Sequence, residues 1–420
     1  MKQKTIVIIS TLDTKGSEAA YLKELIQKRG HRVILLDTNT GGKSSIPPDI
    51  SAGEVAEAAG ERIEEIRQMK DTGKASVIMI EGAIKKVSAL LEKGDLDGII
   101  SFGGASNTTV ATTVMKSLPF GIPKVMLSSM AAVPAYAGGY FGTKDITMIH
   151  SVVDIAGLNP LVKNVLTRAA GAICGMVEMG EGSISLSKAK RKKDLIALTE
   201  FKFSEECCSH VRKRLEAKGF EVIPFHAQGI SDRAMEELIG EGLFQGVLDI
   251  VPAGVGEELL GGNRAAGPNR LEKAGEMGIP QVIAPCGFDM LSCGPLERGD
   301  RGDPLWVSKD IKKRKLFIPD AFRVQARTTS EELRKIANEV ARKLNKSKGP
   351  VSILIPLKGW SSLDKEGMPL FDPEADKAFI DELKRQLDHA KITLQEVDLH
   401  LNTREFAEEA VNQFQKIYNR

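Results

Sequence analysis

Two short polar stretches hold the residues best suited to chemistry. The first, "STLDTKG" at 10–16, follows the apolar run "TIVIIS" and precedes a helical pattern. Thr11 and Thr14 can donate hydrogen bonds, Asp13 can bind a hydroxyl or a divalent ion, and Lys15 can neutralise a phosphate next to Gly16. The second, "GGASNTT" at 103–109, follows the run "LDGIISF". Gly103 and Gly104 allow close backbone approach where a helix begins, and the free N–H groups of that helix start attract an anion. Ala105, Ser106, Asn107 and Thr108 form its first turn, and their hydroxyl and amide groups add donors. The plainer alternatives are a tight turn with a hydroxyl cap and, in the first stretch, a solvated lysine. Asp37 ends the second apolar run, where an acid often binds ribose hydroxyls. "TGGKSS" at 40–45 imitates the tail of a phosphate-binding G-x-x-x-x-G-K-[ST] loop. Asp37 stands where its first glycine belongs, and prolines follow where a helix should start, so that reading is rejected.

The second half offers a looser set. His226 and Arg233 lie at a strand end and helix start. Arg270 sits in the glycine-rich "ELLGGNRAAGPNR", Asp289 in "PCGFDM", and Lys358 in "LIPLKGW". These are candidates to line a substrate cleft, the basic ones for a carboxylate or phosphate. As surface ion pairs they would contribute little. Cys286 has no histidine tied to it by motif and reads as an idle thiol. No His/Cys/carboxylate spacing reads as a metal site.

The elements that must position these residues alternate. Residues 1–186 give five short apolar strands separated by amphipathic helices, with a long helical region over 51–93 that is broken near "DTGKAS". The basic run "SKAKRKKD" at 187–194 reads as a linker. Residues 195–420 restart the pattern: "DLIALTEFKFSEECCSHVRKRLEAKGFEVIPFH" repeats the strand–loop–helix–glycine–strand plan of the N-terminus. Alternating strands and helices predict mainly parallel sheets with right-handed crossovers. The expectation is an α/β chain of two tandem Rossmann-like, doubly wound domains facing a cleft. With strand order 2-1-3-4-5, the loops after strands one and three flank the crevice where ligands bind.

Composition narrows the classes. The chain has 420 residues, 58 basic and 56 acidic, with 42% hydrophobic and 5% aromatic content. Such a balance argues against nucleic acid or a membrane surface as partner. No run reaches the ~20 apolar residues of a membrane span. The five cysteines, with no framework spacing, fit a reducing cytoplasm.

"TLDTKG", "SMAAVPAYAGGYFGTKDITMIHSVVDIAGLN", "VLTRAAGAICGM", "RAMEELI", "AGPNRLEKAGEMGIPQV", "IPLKGWSSLD" and "FDPEAD" occur in that order along essentially the whole chain. Together they resemble the Tm-one-like ATP-binding domain family. That is an uncharacterised microbial family which also forms the N-terminal part of a tomato protein acting against a tobamovirus. The resemblance implies two Rossmann-like subdomains, ATP (with Mg²⁺) and a homodimer, and it implies no particular reaction. It carries Thr11, Asp13, Thr14, Lys15 and Gly16 over as nucleotide contacts and adds Ser129 and Met130, which open the second motif. "GGASNTT" departs from the usual glycine-serine form at Ala105 and Asn107. Two functions compete: an ATP-dependent enzyme acting on an unknown small molecule, and a nucleotide-ordered interaction protein. A sugar-nucleotide enzyme is weaker, for want of a general-base motif.

Overall fold

The computed structural model describes residues 2–179 and 192–419. The chain divides into two units, Met1–Ile184 and Ser185–Arg420. The basic run at 187–194 lies, up to residue 191, outside the described residues.

In the first unit the strands are β1 (Thr5–Ser10), β2 (Arg32–Asp37), β3 (Gly98–Gly103), β4 (Lys124–Ser128) and β5 (Ile146–His150). They form one sheet in the order β2-β1-β3-β4-β5, and every pairing is parallel. The apolar runs are continuous because both faces are covered. Ile6 and Ile8 of β1 join a core with Ala19, Leu22 and Ile26 of the helix Gly16–Lys28. Val7 and Ile9 face the opposite core, with Ala111, Val114 and Met115 of the helix Ala105–Lys116. The helices after β1 and β3 thus lie on opposite faces, which makes the gap between these strands the crevice of a doubly wound sheet. The helical region over 51–93 is three helices, Ala52–Ala59, Ile63–Gln68 and Thr72–Glu92; the expected break near "DTGKAS" precedes the third, and a further break falls after the first. Gly60 at φ 91° closes the first, and the Asp71 carboxylate caps the third.

In the second unit the strands are β6 (Leu195–Glu200), β7 (Glu221–His226), β8 (Gly246–Asp249), β9 (Gln281–Ile283), β10 (Met290–Ser292), β11 (Leu316–Asp320), β12 (Arg323–Arg327), β13 (Val351–Pro356) and β14 (Ile392–Val397). Six of them make a parallel sheet, β14-β13-β9-β8-β6-β7. Its first three strands repeat the 2-1-3 order of the first unit. Between β9 and β13 the chain adds an antiparallel sheet, β10-β12-β11. The strand formed by "KLFIP" lies in this sheet, outside the parallel layer. Both units are Rossmann-like α/β layers, as the alternating pattern implied.

Candidate functional site

At the carboxyl edge of the first sheet, the β1 loop is a tight turn. The Thr14 and Lys15 N–H groups both reach the Thr11 carbonyl, at 3.3 and 2.9 Å, and the helix Gly16–Lys28 starts at once. Asp13, partly buried, accepts the Thr14 N–H at 2.8 Å. The "TGGKSS" segment packs across this turn: Ser45 donates to the Leu12 carbonyl through its N–H (2.9 Å) and its Oγ (2.7 Å). Asp37 fixes the junction. Its buried carboxylate accepts from Leu12 N–H at 3.1 Å, Asn39 N–H at 3.0 Å, Asn39 Nδ2 at 2.6 Å and the Ser44 hydroxyl. Four donors fill the acceptor sites of a carboxylate, so Asp37 clamps two loops instead of presenting itself to a ribose. Lys15 is also turned inward, and its Nζ donates to the Ile155 carbonyl in the loop after β5. Glu18 ties the same loop by accepting Gly157 N–H at 2.8 Å.

The end of β3 is open by comparison. Gly103 has φ 150°, a conformation that favours glycine. Gly104 is the N-cap of the helix Ala105–Lys116, which has no side-chain cap and no acid in its first turn. The first bond into this helix runs from Thr108 N–H to the Gly104 carbonyl at 3.0 Å. Helix geometry therefore leaves the N–H groups of Ala105, Ser106 and Asn107 pointing out of its start. Thr108 Oγ1 lies 2.7 Å from both the Gly104 carbonyl and Ser128 Oγ, and the latter accepts Met130 N–H at 3.0 Å. Ser129 N–H reaches the Gly103 carbonyl at 3.2 Å. Asn107 Nδ2 donates to the Phe102 carbonyl (2.5 Å) and Ser101 Oγ (3.2 Å), leaving a buried Oδ1 with no partner. Ser10 Oγ and Asn39 Oδ1 are buried without partners as well. These three orphan atoms sit at or just beyond the ends of three adjacent strands, β1, β2 and β3.

Ala105 and Met130 also line a groove of about 410 Å³, together with Thr109, Lys116, Tyr136 and Tyr140. Tyr136 is 52% exposed, on the helix Pro134–Phe141. Sequence reasoning missed both tyrosines. The signal was present, because two of only four tyrosines in the chain fall within "PAYAGGYF".

The second-unit candidates do not come together. His226 is exposed at the end of β7, 3.2 Å from Gln228 Nε2, and borders a cavity of about 330 Å³ with Glu200, Phe201, Lys202 and Arg212. Arg233 is exposed. Lys358 is an exposed surface residue paired with Asp398 at 2.9 Å. Arg270 is only 1% exposed and fully committed. It contacts Asp249 twice (2.6 and 2.7 Å), Glu236 at 3.1 Å and Asp232 at 3.2 Å. Its expected role in substrate capture gives way to holding three carboxylates inside the unit. Asp289 is buried too, accepting from Gly287 N–H (2.9 Å) and Ser361 Oγ (2.7 Å). Burial, and then the neighbouring Asp364 charge, push its carboxyl up to about 6. All five cysteines are buried free thiols, and burial pushes the Cys286 thiol well up. Among the described residues, no group of three or more His, Cys, Asp or Glu side chains could hold a metal ion.

Two doubly wound parallel units in one chain define a tandem Rossmann-like α/β protein. The chain belongs to the Uncharacterised protein family (UPF0261): residues 4–182 match its N-terminal domain and residues 193–418 its C-terminal domain. A "UPF0261 protein" of Clostridium tetani is 40% identical over 404 residues, 96% of each chain. The "ToMV resistance protein Tm-1(GCR237)" of Solanum lycopersicum is 30% identical over 433 residues, 98% of this chain and 55% of that protein. Among solved structures, a UDP-N-acetylglucosamine 2-epimerase from Rickettsia bellii is 13% identical, covering 67% of this chain and 79% of the other, with a TM-score of 0.24. An overlap that small carries no argument.

Arg270→Met strips three buried carboxylates of their shared cation. The expected loss is about 3–5 kcal/mol of stability, read by urea denaturation of the full chain. A second prediction concerns Glu257, whose buried carboxyl is raised from 4.5 to about 7, chiefly by desolvation and against the pull of Arg264. The folded state holds that proton more tightly than the unfolded chain. Its stabilising contribution is therefore complete below pH ~4.5 and is lost as pH rises through about 7. Glu257→Gln should flatten the pH dependence of the melting temperature between pH 5 and pH 8, and an unchanged slope would refute this.

Proposed function

We propose that the first unit binds ATP, with Mg²⁺ carried on the phosphates, and that the protein uses it in an ATP-dependent reaction on a small molecule. One observation carries the reading: the uncapped, acid-free helix start at Ala105 opens at the switch point of the sheet. Three buried polar atoms without partners belong to the same strand ends. A phosphate suits this donor set, because backbone N–H groups and the helix dipole both favour an anion. In this reading Gly104, Ala105, Ser106 and Asn107 hold phosphate, and Asp13 is the carboxylate offered to the metal ion. Magnesium bound to a nucleotide usually needs only one or two carboxylates from the protein. Tyr136 takes the base, since an exposed aromatic face beside a groove suits a purine ring. Asp37 and Lys15 act through position, by holding the loop that forms one wall. Bound ATP supplies a transferable phosphoryl group. The reading includes a cytoplasmic homodimer.

A second reading, in which nucleotide orders a surface for a protein partner without turnover, draws on the name of the tomato relative. Phosphate release in the presence of a metabolite pool favours the first reading, and its absence with ATP still bound favours the second.

Calorimetry on the full chain with ATP–Mg²⁺ and with adenosine tests the site. Ser106 is exposed, and an acid in the first turn is good for a helix, so Ser106→Asp should fold normally. It should weaken ATP at least tenfold and leave adenosine unchanged. Tyr136→Ala should weaken ATP and adenosine by the same factor, about tenfold, or ~1.4 kcal/mol. If wild-type protein takes up neither ligand, the reading fails. If Ser106→Asp binds ATP as wild type does, phosphate lies elsewhere.

A further inference from the structure

The loop 261–270, which follows the helix Gly254–Leu260, carries two buried arginines with opposite circumstances. Arg270 has three carboxylates. Arg264, 6% exposed, has none: among the described residues no ion pair or hydrogen bond engages its guanidinium, and its Nη1 is shielded from solvent without a partner. The side chain rests on an aromatic ring, with its guanidinium carbon 5.6 Å from the Phe201 centroid. Glu257 is near but turned to the backbone. One of its oxygens accepts Ser292 N–H at 2.9 Å, and the other lies 3.5 Å from the main-chain N–H of Arg264 itself. The Glu257 charge is felt by Arg264, but no acceptor meets the guanidinium directly, and a buried donor left unsatisfied is costly until a ligand supplies one.

The position repeats the logic of the first unit. Phe201 is the first residue after β6, and β6 lies between β7 and β8 in the sheet. Arg264 is therefore held at the end of β6, and its neighbour Ala266, whose N–H reaches the Gly254 carbonyl at 3.4 Å beyond β8, keeps the loop at the switch point between these strands, where an open α/β sheet takes its ligand. Gly229, in the turn after β7, brings the loop there. It has φ 86°, and a Cβ on it would stand 2.8 Å from the Ala265 carbonyl oxygen and 3.1 Å from the Arg264 carbonyl carbon. Only a glycine lets that backbone lie so close to the turn. The cavity on the β7 side of Phe201, lined by Glu200, Lys202, Glu205 and Arg212, is separate from this switch point and of mixed charge.

We propose that Arg264 is the anion-binding residue of a ligand site in the second unit, taking a carboxylate or phosphate group at the β6–β8 crevice. A planar guanidinium lying on a ring presents a fixed fork that matches two oxygens of one ligand. The site is independent of nucleotide binding in the first unit.

Nucleotide-free full-length protein, titrated by calorimetry with inorganic phosphate and separately with succinate at constant ionic strength in chloride, provides the test. At least one of the two anions should bind wild type, and the one that binds identifies phosphate or carboxylate as the group. Arg264→Met removes no ion pair, so it should fold and should bind that anion at least tenfold more weakly. Arg264→Lys keeps the charge and loses the fork, and it should fall between the two. The lysine variant serves as the reading if the methionine variant does not fold. Failure of both anions to bind wild type, or affinity unchanged in the substituted protein, would overturn the assignment.

Discussion

Parallel strands whose crossover helices depart on opposite faces cannot close the gap between their carboxyl ends. Everything of chemical interest in this chain follows from that constraint, and the chain meets it twice. In the first unit it falls between β1 and β3, and in the second between β6 and β8. Backbone donors and glycines collect at these gaps because no helix covers them. At the amino edge of the first sheet a side chain seals the start of β4: the buried Lys124 ammonium pairs with Asp145 at 2.7 Å.

Within that frame, charge does two different kinds of work. Asp37 and Arg270 are saturated, each with four close contacts, and both are hidden from water. Such groups specify how loops meet, and removing one strands its partners. Arg264, Asn107 and Ser10 are equally hidden but incompletely satisfied. Unsatisfied buried polar atoms are scarce in folded proteins and cluster where a ligand or water completes the set. The contrast between Arg270 and Arg264, six residues apart in one loop, is the sharpest instance of that distinction here.

Much of the fold was legible before any coordinates. Runs such as "IVII" (6–9) and "ILIP" (353–356) are apolar at every position because both faces of a parallel strand are buried, and the turns between them carry glycine and polar residues. The antiparallel sheet was harder to see. β10 has only three residues, and β12, "RVQAR", reads as polar because Arg327 and Gln325 are buried in hydrogen bonds that a linear pattern does not reveal. The strand-end loops were legible as a site, but the roles within them were not. Asp37, Arg270 and Asp289 were singled out for their positions at strand ends. Each has at least one partner tens of positions away, Leu12 for Asp37, Asp232, Glu236 and Asp249 for Arg270, and Ser361 for Asp289, so their commitment was invisible. Tyr136 was passed over for the opposite reason: it lies in a helix, away from the strand ends that drew attention.

The Asp37 clamp has a kinetic consequence. Because one carboxylate holds the backbone of Leu12, the amide of Asn39 and the hydroxyl of Ser44 together, the loops after β1 and β2 move as one piece or not at all. The wall they form is ready-made before any visitor arrives. A ligand that met this wall would not have to wait for the two loops to come together on that side.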